Sequence, residues 1–476
     1  MNARATSTRV RAFALTVIFL LSWGLTTHGK YSATGDEPHY LIVTQSLWAD
    51  RDLDVSNNYA SHGGALFGAA GLEPESHARV ARSGKLWPVH DIGVSVLLIP
   101  AYAAATRLAT VPSDAFLQRF RMNRGLFTYS IISFCVILVV VCAAAITIAS
   151  LEYSGLSESS AALIVMVLWL APPVLSHSFL VFPEPFALLV TAWAVLEWTA
   201  PPRRFGLRED MFALALGALP WLHRKYTFYA VAILLIIWWR RWRLVDERRR
   251  KWVVRAAALF LLPQLASVLW TLHYWGNLAG PMALDGLPLN VRGLMEGIPG
   301  LLVDRENGLL WWAPVYALLP AAWWLRRSCV GLWLLPVAAL MIPCAAHQWW
   351  AGFSPAGRFI VPLIPIFCLV GAVLLKSKTT RYAAIALLIP QLAITAYAWQ
   401  HPRMLWPQGD GTNRVLSRLL GAIGQTDQWL PSFRTAPDRA WSAAIVWLLI
   451  VAALNVALVF GFRERSASSP TPGVGA

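Results

Sequence analysis

Residues 134–148 read FCVILVVVCAAAITI and carry no charged side chain. Uncharged apolar runs recur at 230–239, 337–341, 359–375 and 443–460. A helix needs about 20 apolar residues to cross the hydrocarbon core of a bilayer, whereas a helix on the surface of a soluble protein is polar along one side. The pattern therefore predicts an all-α polytopic membrane protein.

The composition agrees with this class. The 476 residues are 57% hydrophobic and 14% charged, whereas a typical soluble protein has roughly 25% charged residues. Lys and Arg number 40 against 25 Asp and Glu, which gives a net charge of +15. Most of this excess lies in short segments beside apolar runs, where membrane topology explains it. No polar region combines a basic patch with aromatic residues, so we expect no nucleic-acid partner.

The apolar pattern predicts about 12–14 transmembrane helices. Segments 107–124, 240–255 and 376–381 are rich in Arg or Lys. By the positive-inside rule these segments and both chain termini are cytoplasmic, in a multi-pass protein of the inner or plasma membrane. The predicted spans are 11–28, 88–106, 125–149, 160–182, 184–199, 211–223, 225–239, 253–272, 308–325, 330–346, 359–375, 382–399 and 440–462.

This pattern predicts one transmembrane domain over 1–462, followed by a disordered cytoplasmic tail at 463–476. Residues 29–87 form the first extracytoplasmic loop, and residues 400–439 form a late one. The basic start and the apolar stretch at 11–28 favour an uncleaved first helix. A cleaved signal peptide is the alternative.

The region 160–239 does not fit a simple series of spans. An odd number of predicted spans precedes residue 240, whereas two cytoplasmic ends require an even number. We therefore expect one segment to be re-entrant, or two segments to merge. Prolines at 172–173, 183, 185 and 220 interrupt the region. Interrupted helices at membrane depth usually line a polar cavity, so this irregularity indicates a site.

The first extracytoplasmic loop contains a cluster of ionisable side chains. It begins with Thr34-Gly35-Asp36-Glu37-Pro38-His39-Tyr40. Pro38 suits the first turn of a helix, and we expect a short juxtamembrane helix on the outer face, with Tyr40 in the headgroup layer. Asp36 and Glu37 either take part in proton transfer or merely cap that helix.

Other ionisable residues occur at or within the predicted spans. His90 and Asp91 lie at the outer mouth of the second span, and Glu184 lies in a broken one. Ionisable groups at membrane depth are costly and usually face a cavity or a partner. The run His223-Arg224-Lys225 is either an ordinary basic loop or, if it lies outside, a site for an anion such as phosphate.

Two later segments complete the set of candidates. Arg358 heads a span and follows a Gly/Ser/Pro-rich run. It either extends toward lipid headgroups or holds a ligand that the glycine-containing backbone can approach closely. A predicted outer loop contains Asp285, Asp304, Arg305 and Glu306, which we expect to be solvated.

In order and spacing, residues 11–400 resemble the GT-C class of membrane glycosyltransferases, especially bacterial relatives of the protein O-mannosyltransferase and aminoarabinose transferase group. Asp36-Glu37 follows the first helix, and His90-Asp91-Ile92-Gly93 stands where relatives often have His-Pro-Pro-Leu. Pro183-Glu184-Pro185-Phe186 lies in a broken span. Residues 357–365, GRFIVPLIP, are close to the pattern Gly-Pro-Arg-Tyr-Leu-Leu-Pro-Leu-Leu-Pro but lack its first proline.

The resemblance implies a GT-C-like helix bundle, a polyprenyl-phosphate-linked sugar as donor, and a glycan, lipid or protein acceptor outside the cytoplasm. In this chemistry Asp36 accepts the proton of the acceptor hydroxyl, and Glu37 or His39 orients it. Arg358 stabilises the leaving phosphate, with Arg224 and Lys225 as lesser candidates. A divalent cation at Asp36 is one option. The residues expected to line the substrate site are His39, His90, Asp91, Glu184 and His223.

Two other functions compete with this interpretation. A lipid or glycan transporter or flippase would suit the broken helices, but it does not predict carboxylates clustered in an outer loop. A structural subunit without chemistry predicts that substitutions are tolerated at every candidate position. The substitution Asp36→Asn therefore separates the enzyme from both alternatives.

Overall fold

The protein is described here by a computed structural model, which covers residues 2–27, 32–201, 206–244, 250–281, 291–325, 329–421 and 429–467. Within these ranges the chain is almost entirely helical. The α-helices are α1 (Asn2–Thr27), α2 (Glu37–Gln45), α3 (Ser56–Ala60), α4 (Gly93–Leu108), α5 (Asp114–Arg119), α6 (Arg124–Tyr153), α7 (Glu158–Trp169), α8 (Val174–His177), α9 (Pro183–Thr199), α10 (Leu207–Gly217), α11 (Leu219–Leu222), α12 (Thr227–Leu244), α13 (Arg250–Trp275), α14 (Val291–Val303), α15 (Leu309–Trp312), α16 (Leu319–Leu325), α17 (Leu334–Ala346), α18 (Ile364–Gly371), α19 (Lys378–Gln400), α20 (Arg414–Leu420) and α21 (Pro437–Ala467).

The described residues also contain a two-stranded antiparallel sheet in the first predicted outer loop. Its strands are β1 (Ala78–Val80) and β2 (Leu86–Pro88), and Ala78 pairs with Pro88. The turn between them contains Ser83-Gly84, and Gly84 has a φ of +78°, a conformation that glycine adopts at little cost. The hairpin therefore brings the residues on either side of it close together.

Helix α6 packs against several other helices of the bundle. It begins at Arg124 because the Asn123 side chain accepts a hydrogen bond from the Leu126 N–H at 2.8 Å, which satisfies one of the free N–H groups at a helix start. Apolar residues surround α6, and it packs against α1, α4, α7 and α9. At 1.5 Å per residue its length of about 45 Å exceeds the thickness of a bilayer core.

In the part of the chain that the structure describes, five helical segments are long and apolar enough to cross a membrane, namely Arg124–Tyr153, Val253–Trp275, Arg358–Lys376, Lys378–Gln400 and Pro437–Gly461. The second, fourth and fifth are only 11%, 17% and 22% buried inside the protein. Apolar helices with so much surface outside the fold require an apolar solvent. The predicted all-α class and membrane character are confirmed at this level, whereas the count of 12–14 helices and the cytoplasmic termini stay predictions.

The predicted span 160–182 is not a single helix, because it is interrupted around the prolines that the sequence singles out at 172–173. Helix α7 ends at Trp169, and its 12 residues rise only about 18 Å, which is too short for a bilayer core. Pro172 and Pro173 follow, and proline lacks the N–H that would continue a helix. The chain resumes as the short helix α8 and then as α9, whose first residue is Pro183.

The helix predicted at the start of the first outer loop forms as α2, but its surroundings differ from the prediction. Every residue from Glu37 to Thr44 is buried, and Tyr40 has no exposed surface. Helix α2 packs against α4, where the Ser95 hydroxyl donates to the Tyr40 carbonyl at 2.8 Å. Tyr40 therefore belongs to the protein interior and cannot lie in a lipid headgroup layer.

The solvated positions predicted at 304–306 are also wrong, because all three residues are buried. The Asp304 carboxylate accepts hydrogen bonds from the backbone N–H groups of Glu306, Asn307 and Phe433. The carboxylate of Glu306 accepts from the N–H groups of residues 408, 409 and 411 at 2.8–3.0 Å. These carboxylates fix the predicted loop 400–439, so their role is structural. Asp285 lies outside the described residues.

Glu306→Ala is expected to lower stability by at least about 2 kcal/mol, because it leaves buried backbone N–H groups without their charged acceptor. The apparent unfolding temperature in detergent measures this loss. Asp410→Asn is the matched control, because Asp410 lies in the same loop but is exposed. Equal unfolding temperatures for Glu306→Ala and the wild type would contradict the anchoring role.

Residues 463–467 of the predicted cytoplasmic tail are helical. Helix α21 continues to Ala467, and residues 468–476 lie outside the described residues.

Candidate active site

A cavity of about 700 Å³ opens where the start of α2, the segment 69–77, residues 89–90 and the segment 352–359 meet. It brings together several residues that the sequence singles out from distant positions. The ionisable residues in its wall include Asp36, His39, His77, His90, His223 and Arg358.

Asp36 and Arg358 form an ion pair in this cavity. The Arg358 Nη1 group donates to Asp36 Oδ2 at 2.8 Å, and their side chains are 12% and 22% exposed, respectively. The other Asp36 oxygen, Oδ1, makes no hydrogen bond to the described residues. Asp36 also makes no side-chain hydrogen bond to the start of α2, so the capping interpretation does not describe it. A carboxylate oxygen and a partly exposed guanidinium thus remain available to a ligand.

Glu184 and Lys225 form a second, buried ion pair that adjoins the Asp36–Arg358 pair. The Arg358 Nε group donates to Glu184 Oε1 at 3.0 Å, and Lys225 Nζ donates to the same oxygen at 2.5 Å. The side chains of Glu184 and Lys225 are almost completely buried and do not line the cavity. Arg358 and Lys225 each carry one positive charge, and Asp36 and Glu184 each carry one negative charge. The Arg358 guanidinium also lies 4.1 Å from the centre of the Phe182 ring, a favourable cation–π contact.

Local sequence explains how these groups are positioned. Pro183 begins α9 and places Glu184 in its first turn, where the helix dipole favours a negative charge. Gly357 precedes Arg358 with a φ of +74°. A Cβ atom at Gly357 would lie 2.9 Å from Pro173 Cβ, so both the backbone angle and the space favour glycine there.

Three histidines form a second group beside Asp36. The rings of His39 and His77 stack with their centres 3.7 Å apart. His77 Nδ1 and His90 Nε2 are 2.9 Å apart and share a hydrogen bond. His39 Nδ1 is hydrogen-bonded to the Tyr59 hydroxyl at 2.7 Å. One ligand atom from each of Asp36, His77 and His90 lies within 4.8 Å of the others, so these three could hold a metal ion.

Burial and neighbouring charges shift the pKa values of Asp36 and of the histidines beside it. Burial acts to raise the pKa of Asp36, but Arg358, His90 and His77 outweigh it and hold that pKa well below its usual range. Burial, together with a contribution from the neighbouring histidines, lowers the pKa of His39 to about 3 and that of His90 to about 4. Near neutral pH, Asp36 is therefore ionised while His39 and His90 are neutral.

Arg224 and Asp91 pair with each other away from the cavity wall. Arg224 Nη2 donates to Asp91 Oδ1 at 2.8 Å, and the Arg224 backbone N–H donates to Asp91 Oδ2 at 2.8 Å. The Arg224 side chain also bonds to the Ala279 carbonyl at 2.6 Å. The neighbouring residue His223 does line the cavity, and its Nδ1 accepts from the Lys225 N–H at 3.1 Å.

Glu37 differs most from its expected position. It is adjacent to Asp36 in sequence, but its side chain has no exposed surface. Glu37 Oε1 accepts from the Tyr129 hydroxyl at 2.6 Å and from the Val181 N–H at 2.8 Å. It therefore ties the start of α2 to α6 and to the segment before α9, and it does not reach the cavity.

His77 was not predicted from the sequence. It lies directly before β1, and the Val89 N–H donates to the His77 carbonyl at 2.9 Å. The hairpin thus aligns His77 with His90, which follows β2. The Ser83-Gly84 dipeptide between Arg79-Val80 and Leu86-Trp87 is the local signal that could have revealed this pairing.

No protein-family model, curated protein or solved structure is significantly similar to this chain. The fold defines a broad class, an all-α protein with helices suited to a membrane. A specific function must therefore be argued from the residues of the cavity.

Proposed function

We propose that this protein is a GT-C-like membrane glycosyltransferase, which moves a sugar from a polyprenyl-phosphate donor to an acceptor hydroxyl on the extracytoplasmic face. The observation that supports this most is the Asp36–Arg358 ion pair in the wall of a 700 Å³ cavity. It places a proton acceptor beside a cation suited to a phosphate. In this proposal the bundle has about 12–14 membrane helices, as the apolar pattern predicts.

The transfer step balances with these two groups. The acceptor oxygen forms a bond to the anomeric carbon while the bond from that carbon to the phosphate oxygen breaks. The acceptor proton passes to Asp36, and the electron pair leaves with the polyprenyl phosphate. Arg358 stabilises the charge that grows on this phosphate. Because this assignment uses Asp36 as the base and no carboxylate as a nucleophile, we propose direct displacement with inversion.

Donor binding also prepares the base. In the ion pair, Arg358 holds the pKa of Asp36 well below its usual range, which makes Asp36 a poor proton acceptor. A phosphate that binds the guanidinium neutralises its charge and competes with Asp36 for its N–H groups. Asp36 then regains basicity at the moment when the acceptor requires it.

The remaining candidates act as positioning residues in this proposal. Glu184 accepts a hydrogen bond from Arg358 Nε. This contact occupies Nε, while Arg358 still lines the cavity. Lys225 offsets part of the charge of Glu184 without reaching the cavity. His39, His90 and His223 line the cavity and could donate hydrogen bonds to sugar hydroxyls.

The proposal is tested with the full chain purified in detergent. A panel of polyprenyl-phosphate sugars is supplied with candidate glycan, lipid and peptide acceptors, and release of free polyprenyl phosphate is measured. We expect release from one donor, with an inverted anomeric configuration in the product. A retained configuration would exclude the displacement step.

A transporter or flippase is the second candidate, and the interrupted helices α7, α8 and α9 favour it. The same donors incorporated into vesicles test it by their movement between leaflets. Movement of a donor without release of polyprenyl phosphate, and unaffected by Asp36→Asn, would support transport and contradict the transferase.

A further inference from the structure

We propose that Asp36, His77 and His90 form a zinc-class metal site in the wall of the cavity. One ligand atom from each residue lies within 4.8 Å of the others. Two imidazoles and one carboxylate are a ligand set that Zn²⁺ and similar transition metals prefer, whereas Mg²⁺ and Ca²⁺ prefer oxygen ligands. Three protein ligands leave a fourth position open, and here it faces the cavity.

The ligand atoms lie near the separations expected around a tetrahedral metal ion, and they would shift by small amounts when the metal binds. Bonds of about 2.0–2.1 Å to a tetrahedral ion place ligand atoms roughly 3.3 Å apart. His77 Nδ1 and His90 Nε2 lie 2.9 Å apart, so these two atoms would separate slightly and give up their shared hydrogen bond. The remaining ligand distances of up to 4.8 Å require side-chain movements on the order of 1 Å.

Surrounding residues hold the three ligands in orientation. Arg358 bonds Asp36 Oδ2, which leaves Oδ1 for the metal and fixes the carboxylate, as outer partners of metal ligands commonly do. His39 stacks on His77, and the Tyr40 ring lies 4.7 Å from the His90 ring. Glu73 and Glu75 also line the cavity and add negative charge near the site, which attracts a cation.

The ligands come from three separate elements, so a bound metal would join them. Asp36 precedes α2, His77 precedes β1, and His90 lies between β2 and α4. A metal that binds the folded chain and not the unfolded chain raises stability by an amount that grows with the logarithm of the metal concentration above its Kd. We therefore expect Zn²⁺ to raise the apparent unfolding temperature of the protein.

Zinc at Asp36 Oδ1 would exclude an acceptor hydroxyl from that oxygen. Under the proposed function, bound Zn²⁺ is therefore expected to inhibit sugar transfer, and transfer rates with and without Zn²⁺ measure this effect. Inhibition rests on the proposed function, whereas metal binding does not.

The binding test uses the full chain in detergent, freed of metal with a chelator and then titrated with Zn²⁺ against a chromogenic chelator. We expect one Zn²⁺ per chain, and affinity weakened by about 100-fold in His77→Gln and in His90→Gln. His401→Gln is the control, because His401 is exposed and distant in sequence. Co²⁺ should give the visible absorption of a tetrahedral site in the wild type only.

Unfolding temperatures without metal establish that the two cavity variants are folded. Equal Zn²⁺ affinity in the wild type, His77→Gln and His90→Gln would overturn the proposal, as would an absence of tight binding to the wild type. Because sugar transfer is not measured in this titration, its failure leaves the transferase proposal untouched.

Discussion

Asp36→Asn is expected to reduce the rate of sugar transfer by about 10²- to 10⁴-fold, the contribution usual for a positioned general base. Asparagine has nearly the same shape and retains an oxygen that can accept from Arg358, but it cannot take up a proton. The measurement is release of polyprenyl phosphate from the active donor under saturating conditions. Since the change removes proton transfer and not the donor's phosphate site, we expect kcat to fall more than KM rises.

Two controls separate loss of the base from loss of the fold. Asp114→Asn changes an exposed carboxylate whose partner, Arg124, is also exposed, and it should leave transfer unchanged. The apparent unfolding temperature of Asp36→Asn should fall, because the charge that pairs with Arg358 is lost, so transfer rates are compared at a temperature where both proteins are folded. Equal transfer rates in Asp36→Asn and the wild type would exclude Asp36 as the base.

Glu37, the carboxylate next to Asp36 in sequence, tests the assignment of the base more sharply. Glu37 is fully buried and accepts hydrogen bonds from Tyr129 and Val181. Glu37→Gln should therefore lower the unfolding temperature, while the protein that remains folded keeps its kcat. The opposite pattern, a stable Glu37→Gln protein without activity, would move the chemistry from Asp36 to Glu37.

The sequence predicts the helical class well because the exclusion of charge from apolar runs is a local signal. It also indicates the interruptions near Pro172-Pro173 and before Pro183, since proline lacks a backbone donor, although Pro100, Pro263 and Pro390 lie inside helices. It does not predict that α7 stops at Trp169, because hydropathy continues through residue 182 while backbone hydrogen bonding does not. The length of an apolar run and the length of a helix are different quantities.

The contacts that form the candidate site join residues distant in sequence, so short stretches of sequence do not predict them. Residues 36 and 358 are predicted as separate candidates, but their contact at 2.8 Å follows from packing across 322 positions of sequence. Sequence adjacency was also misleading, because the start of α2 turns Asp36 and Glu37 to different sides. Similarly, Arg224 and Lys225 are neighbours, yet one pairs with Asp91 and the other with Glu184.

Arg358→Gln is expected to lower transfer by about 10²- to 10³-fold, because it removes the group proposed to stabilise the leaving phosphate. It should also abolish the rise in unfolding temperature that polyprenyl phosphate, the reaction product, gives the wild type. Arg358→Lys retains the charge but not the planar fork of donors, so we expect an intermediate effect.

Lys225→Gln is the matched control, because Lys225 and Arg358 both donate to Glu184 Oε1 but only Arg358 lines the cavity. Each change removes one cation from the buried carboxylate and leaves the other, so both should lower the unfolding temperature without ligand. Only Arg358→Gln should lose the stabilisation by polyprenyl phosphate. If Lys225→Gln loses this stabilisation while Arg358→Gln keeps it, the phosphate binds at Lys225, and the cavity must open further toward Glu184 when the donor enters.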